Sequence, residues 1–412
     1  MLLTLIRRSC SIFKEINLVM KLYYSLIFSL LILSSCKESS KNNEMASTTT
    51  SNEVAENSDA PQVDDVPLID DQKNYSIIPI VEDLDIPWGM TWLPNGDLIY
   101  TEKEGQLYKF NGTKSIEING IPEVYLRGQG GLLDVTIHPQ FEKNNFIYIS
   151  YASKIGGGDG GNTTIARAVL KNDKLEDLEV LYKAMPNSKK GQHFGSRFTW
   201  DREGHLYFSI GDRGNRDVNP QDIYRDCGKI YRINDDGSIP VDNPFVDIAG
   251  AKTAIYSYGN RNPQGMTTHP VTGKIIAHEH GPQGGDEINI IESGKNYGWP
   301  VISYGINYSG TTFTEITEKE GMEQPIYYWV PSIAPSGFAI INNPAYQEWN
   351  GNFLVGALKF QYLEMLHMDG NRVTKREKIA DKIGRLRNVK IGPDGLIYIA
   401  VEGKGIFKIE KK

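Results

Sequence analysis

Cysteine is scarce in this chain of 412 residues: there are three, Cys10, Cys36 and Cys227. Only Cys227 lies in the part composed to fold, so no disulfide framework is available there, and a small buried residue is its plain role. Positive charge is also short. The net charge is −7, which argues against nucleic acid as a general partner. Long apolar runs are missing apart from positions 22–33, too short for a transmembrane helix of about 20 apolar residues. No extended 3.6-residue periodicity is present, so long amphipathic helices are not the building material. What the chain has instead is 41 Gly and 22 Tyr, against 14 Phe and 6 Trp. Turn formers with amphipathic aromatics suit many short strands.

The one apolar run follows Met20-Lys21 and ends Leu33-Ser34-Ser35-Cys36. A charged start, a short apolar core and small residues before a cut site describe a secretory signal. The ending resembles the bacterial lipobox, which implies lipidation of Cys36, a start at Met20, and export to a membrane held only through the lipid. Residues 1–36 are thus read as the signal region and 37–74 as a leash. Nine carboxylates against three lysines between Lys37 and Tyr75 carry nearly all the net charge, with too little apolar surface to fold. The folded domain is read as 75–412.

Within that domain a turn followed by a strand recurs six times. The units are Asn95-Gly96 before Leu98-Ile99-Tyr100, Asn145 before Phe146-Ile147-Tyr148, and Gly204 before Leu206-Tyr207-Phe208. Gly273 before Ile275-Ile276, Gly351 before Phe353-Leu354, and Gly395 before Leu396-Ile397-Tyr398 complete the set. An Asn/Asp-Gly turn between apolar runs signals a hairpin. The spacing of about 45–80 residues exceeds the ~40–50 of an ordinary propeller blade, so some blades carry long loops. The expected fold is all-β, a six-bladed β-propeller of four-stranded antiparallel blades, an arrangement that leaves no long sheet edge exposed.

Roughly ten residues before each turn the strand begins, and its partner returns to the same end. The returning ends include Asp212, His280-Gly281-Pro282 and Lys359; the strand starts include Gln129, Gln192-His193, Arg261-Asn262 and Arg385-Leu386-Arg387. All therefore converge on one face, where loops over a rigid scaffold carry function. Arg261, Lys359, Arg385 and Arg387 would make a positive pocket in a near-neutral domain, suited to a ligand with several carboxylates. His193 is the natural general base near neutral pH, and Asp212 can orient its ring. Taken singly, each has a plainer reading: Arg385 and Arg387 as a solvated strand face, Asp212 as a turn carboxylate. His278 and His280 form an H-x-H pair, yet no third zinc ligand is evident.

At these residues the sequence resembles the soluble quinoprotein sugar dehydrogenases that use pyrroloquinoline quinone (PQQ), and within them the aldose branch. The motifs are G-Q-G-G-L-L-D at 128–134, H-F-G-S-R at 193–197, I-G-D-R-G at 210–214 and Y-G-N-R-N-P-Q-G at 258–265. E-H-G-P-Q-G-G-D-E-I-N at 279–289, N-Y-G-W-P at 296–300, L-K at 358–359 and R-L-R-N-V at 385–389 follow. The resemblance implies oxidation of an aldose sugar at its anomeric hydroxyl to a lactone, with an external electron acceptor. It implies His193 as base, helped by Asp212, while hydride passes to the quinone C5. Gln129 and Gln192 would lie at the substrate end. Arg261 would bond the quinone oxygen that gains charge; with it, Asn262, Lys359, Arg385 and Arg387 would hold the cofactor. The carbonyls of Gly281 and Pro282 would bind Ca2+, a hard cation suited to oxygen ligands. Gln192, His280 and Ser332 stand where glucose-oxidising members have Asp, Gln and Thr, which favours broader aldose oxidation. The absence of the large insertions of the dimeric glucose enzymes points to a monomer. Two rivals remain from the residues alone: a calcium-dependent propeller lactonase, which would want several carboxylate or Asn ligands round its metal, and a non-catalytic sugar-binding propeller at the cell surface.

Overall fold

The computed structural model describes residues 68–70 and 75–412; the signal region and Cys36, with most of the stretch read as a leash, lie outside the described residues. The described chain forms six sheets, arranged as six blades of antiparallel strands. Blade 1 contains Pro87–Trp92, Leu98–Glu102, Gln106–Phe110 and Ser115–Glu117; blade 2 contains Leu132–Ile137, Phe146–Ser153, Asn162–Lys171 and Lys174–Lys183. Blade 3 contains Phe198–Trp200, Leu206–Ile210, Lys229–Ile233 and Ile255–Tyr258; blade 4 contains Pro263–Thr268, Ile275–Glu279, Asp286–Ile291 and Tyr327–Trp329. Blade 5 runs Pro335–Ile340, Phe353–Ala357, Tyr362–Asp369 and Arg372–Ile379, and blade 6 runs Leu386–Ile391, Ile397–Val401 and Gly405–Lys411.

Blade 6 takes its outermost strand from the other end of the domain. Tyr75–Glu82 pairs antiparallel with Gly405–Lys411, so the ring is closed by hydrogen bonds between a strand that precedes blade 1 and the last strand. Leu68–Asp70, inside the stretch read as leash, adds a parallel fifth strand to blade 5 through Arg376–Lys378. An edge strand offers unpaired backbone groups that a short segment can satisfy.

The six turns found in the sequence each join the first and second strands of one blade. The turn residue has positive φ throughout, from 55° at Asn145 to 90° at Gly96 and Gly204, and this favours Gly and Asn there. Apolar side chains of neighbouring blades pack into shared seams. Ile99, Leu132 and Ile149 join blades 1 and 2, for example, and Leu354, Leu386 and Ile399 join blades 5 and 6. Burying one such side chain stabilises by about 1.5–3 kcal/mol.

Near the axis the seams are polar. Thr101 donates to Leu133 O at 2.5 Å, Ser150 to Ser196 O at 2.8 Å and Ser209 to Pro263 O at 3.0 Å. His278 Nε2–H donates to Gly337 O at 2.9 Å, Ser336 to Arg387 O at 2.8 Å and Asn388 Nδ2 to Trp88 O at 3.1 Å. Every one of the six seams therefore carries a side chain bonded to the next inner strand. These buried bonds fix where each inner strand starts, and so where the loops above it stand.

Candidate active site

Most of the strand starts and returning ends meet around two clefts of about 360 and 340 Å³, though Asn262, Gly281 and Lys359 line neither. Gln129, Phe194, Gly195, Gln264, His280, Arg385, Arg387 and Glu402 help line the first. Gln192, His193, Asp212, Arg261, Pro282 and Trp299 help line the second. The segment 192–195 contributes to both, Phe194 and Gly195 to the first and Gln192 and His193 to the second.

His193 stands on the loop leading into blade 3 with φ of 59°, a left-handed conformation that a non-glycine residue keeps only when its surroundings over-determine it. Gln129 Oε1 accepts the His193 N–H at 2.7 Å. The buried Arg213 donates to Gln192 O, to Lys190 O at 2.7 Å and to Gly161 O at 3.2 Å, and its Cζ lies 3.5 Å from the centre of the Phe194 ring.

The imidazole Nδ1–H donates to Asp212 Oδ1 at 2.6 Å, and the Asp212 side chain is 1% exposed. Asp212 is held in turn: Oδ1 accepts the Gly214 N–H at 2.6 Å, Oδ2 accepts the Trp299 indole N–H at 2.9 Å, and its own N–H donates to Arg261 O at 2.8 Å. Burial lowers the His193 pKa; the Asp212 bond opposes this, the guanidiniums of Arg261 and Arg213 assist it, and the net result is below the ordinary value. Burial pushes the Asp212 carboxyl up, but His193, Arg261 and the Trp299 donor outweigh it and hold it low. At neutral pH the pair is therefore imidazole beside carboxylate. Nε2 is left as the free ring nitrogen, a base of fixed tautomer.

Arg261 and Asn262 open blade 4 on a buried acid that the sequence reasoning missed. Glu279 accepts the N–H groups of Arg261 and of Asn262 (3.2 Å) and the Asn260 amide at 2.8 Å; burial raises its pKa to about 7. The Arg261 guanidinium donates to His280 O at 3.1 Å and lies 5.4 Å over the Trp299 ring. Asn262 Oδ1 accepts the Gly195 N–H at 3.1 Å, while its Nδ2 is buried and has no partner. Such an orphan donor costs about 1–3 kcal/mol unless something else accepts from it.

Arg385 and Arg387 are not a simple solvated face. Glu402, another missed residue, stands between them: Oε2 accepts Arg385 Nε at 2.6 Å and Oε1 accepts Arg387 Nε at 2.8 Å. Burial raises the Glu402 pKa, and the two guanidiniums more than reverse this. Arg387 Nη1 also reaches Gln264 Oε1 at 3.3 Å. Lys359 stands apart. It is exposed, with Nζ 5.0 Å from the Phe360 ring centre, and lines neither cleft.

Gly281 and Pro282 follow the second strand of blade 4. The Gly281 N–H donates to Asp286 Oδ1 at 2.8 Å, while neither carbonyl takes a backbone N–H among the described residues. Asp286 also accepts from Ser332 Oγ, Ile333 N and Ala334 N at 2.7–2.9 Å. The H-x-H pair is structural. His278 and His280 donate Nε2–H to Gly337 O (2.9 Å) and Pro335 O (2.7 Å), and burial drops their pKa values, that of His278 to about 4. The one close group of metal-type side chains among the described residues, Asp201, Glu203 and His205, sits at the turn end of blade 3, away from this face.

A propeller whose axis end holds a carboxylate-oriented imidazole beside arginine-lined clefts offers the kind of site that small-molecule enzymes use. The chain's own place in that class is clear: residues 84–408 match the Glucose / Sorbosone dehydrogenase family, and the chain belongs to it. It is 39% identical over 327 residues to the aldose sugar dehydrogenase YliI of Escherichia coli (strain K12), covering 77% of this chain and 88% of that one. Quinoprotein glucose dehydrogenase B of Acinetobacter calcoaceticus is 30% identical over 336 residues, 72% of this chain and 68% of that one. The apo-form crystal structure of the soluble aldose sugar dehydrogenase from Escherichia coli matches with a TM-score of 0.79 at 36% identity, covering 82% of this chain and all of the other.

Proposed function

We propose that this protein is a PQQ-dependent aldose dehydrogenase that oxidises the anomeric C1 hydroxyl of aldoses to the lactone. The observation that carries this reading is the neutral His193 with its Nδ1–H fixed on Asp212, set beside clefts lined by Arg261, Arg385 and Arg387. The named activities of the relatives support it.

The residues present fit a tricarboxylate quinone. Arg385 and Arg387 offer charged forks, Asn262 Nδ2 is a buried donor in want of an acceptor, and Arg261 lines the His193 cleft. When bound, PQQ supplies the two-electron acceptor that takes the C1 hydride of the sugar. Ca2+ would be held through the Gly281 and Pro282 carbonyls and supply Lewis acidity there.

His193 Nε2 takes the proton of the C1 hydroxyl as the C1–H bond breaks and the C=O forms. Asp212 stabilises the imidazolium that results. Gln129 keeps the base in place by holding its N–H, and Gln192 borders the sugar's approach. Arg261 offers its charge where negative charge grows in the transition state, a term that buried, preorganised donors supply well. The electrons leave to an external acceptor.

Dye reduction by purified protein with an aldose panel, with and without PQQ and Ca2+, tests this. Turnover that requires both supports it, and absence of quinone binding overturns it. His193→Ala should abolish turnover and leave quinone binding intact. Export and a lipid anchor at Cys36 are part of the proposal, resting on the Leu33-Ser34-Ser35-Cys36 ending; mass spectrometry of the mature N-terminus checks them.

A further inference from the structure

We propose that Trp299 is a positioning residue for the base, so that His193, Asp212 and Trp299 form one hydrogen-bonded unit. The inference rests on the reading of His193 as the proton acceptor. Asp212 has two oxygens with unequal tasks. Oδ1 faces the imidazole at 2.6 Å, and Oδ2 faces only the indole N–H, at 2.9 Å. The Gly214 N–H holds Oδ1 at 2.6 Å as well, but a carboxylate free at Oδ2 could still twist about that oxygen and carry the imidazole off line. The indole donor removes that freedom, and with it the chance of a misdirected imidazole.

Trp299 is anchored well enough to do this. Its N–H donates to Gly259 O at 2.8 Å and its carbonyl accepts from Gln221 Nε2 at 2.9 Å. Its ring meets Phe313 edge-on at 5.3 Å and lies under the Arg261 guanidinium. The side chain is buried, yet it borders the His193 cleft. The sequence separation from Asp212 is 87 residues, so a loop above blade 4 fixes a pair that belongs to blade 3.

The test compares wild type with Trp299→Phe, which deletes the donor and keeps an aromatic ring, and with benzothienylalanine at 299, in which sulfur replaces the indole N–H at nearly constant shape. The imidazole of His193 is titrated by NMR in isotope-labelled protein without sugar or quinone, its signal assigned by its loss in His193→Ala. Removing the donor leaves more negative charge on Asp212 for the imidazolium. The proton affinity of His193 should then rise about threefold to tenfold, and kcat should fall about tenfold with KM within about twofold. An unchanged titration in a folded benzothienylalanine variant would overturn the proposal and leave Trp299 as packing alone. Because the titration needs no turnover, it decides the role of Trp299 even if the wild type oxidises no sugar; that second result would count against the dehydrogenase reading only.

Discussion

Exchanging Asp212 for Asn keeps the side-chain shape, removes one charge and turns one acceptor into a donor. The structure gives the amide two orientations, and both are poor. With its oxygen at the Oδ1 position it still accepts from His193 Nδ1 and Gly214 N, but its NH2 then meets the Trp299 N–H, donor against donor. In that orientation the tautomer survives and the anion beside the imidazolium is lost. A buried hydrogen bond to a charged group contributes about 1.5–3 kcal/mol, or roughly 10- to 150-fold in rate. Turned over, the amide donates to Nδ1 and drives the proton to Nε2, so the base disappears. The loss then approaches the roughly 10⁴-fold seen when an orienting carboxylate is exchanged for its amide in a histidine-base triad. A kcat lowered by between about 10- and 10⁴-fold is therefore expected in dye-reduction assays saturated with PQQ and Ca2+. Quinone titration of the variant should match wild type, while its melting temperature should fall, because either orientation sets the buried amide NH2 against a donor. Raising the pH should not rescue it, because Asp212 opposes the burial that lowers the His193 pKa and its removal leaves the ring more neutral still. A variant within threefold of wild type would refute the coupling of Asp212 to the base.

The acidic limb of kcat/KM should fall below the ordinary histidine pKa, since burial and two guanidiniums depress that of His193; activity is lost as pH drops through that limb, and a midpoint above 7 would contradict the assignment. Arg387→Ala should weaken quinone binding by about tenfold or more; Lys359→Ala should weaken it less, because Lys359 is exposed over Phe360, and an unchanged titration would remove Lys359 from the site. His278, with a folded pKa of about 4, stays neutral where the unfolded chain takes up a proton. Its contribution is complete above about pH 6.5 and lost towards pH 4, costing about 2 kcal/mol between pH 7.5 and 5. Urea titrations at the two pH values measure this, and His278→Gln should flatten the difference.

The ring of blades was legible in the sequence because its signal is local. A left-handed turn residue between two apolar runs needs no distant partner to be recognised, and six of them count the blades. Closure was not legible: that Tyr75–Glu82 completes blade 6 depends on pairing with residues more than 300 positions later, and nothing in either strand names the other. The same holds within the site. His193, Asp212 and Arg261 stood out because strand starts and ends put them on one face. Glu402 occupies the equivalent returning end of blade 6, but a lone acid after a strand carries no local mark of the two guanidiniums it holds. Trp299 and Arg213 lie inside motifs that were quoted, yet their tasks are set by partners on other loops.

The axis seams explain why a site lined from all six blades can hold the His193 ring to within a hydrogen bond. In blades 1 to 4 the second strand sends Thr101, Ser150, Ser209 or His278 across to the next inner strand, and in blades 3 and 4 its end supplies a site residue two or three positions later. Ser209, three residues before Asp212, is bonded to the carbonyl of Pro263, two residues after Arg261. That one bond therefore ties the carboxylate that orients His193 to the guanidinium that tunes it. His278 does the same for blade 4, locking the strand that leads into His280, Gly281 and Pro282 to the carbonyl of Gly337. The polar axis is thus the common frame of fold and site. Loosening a seam would move two site groups relative to each other, whereas a cut of equal size in an outer strand would leave them in register.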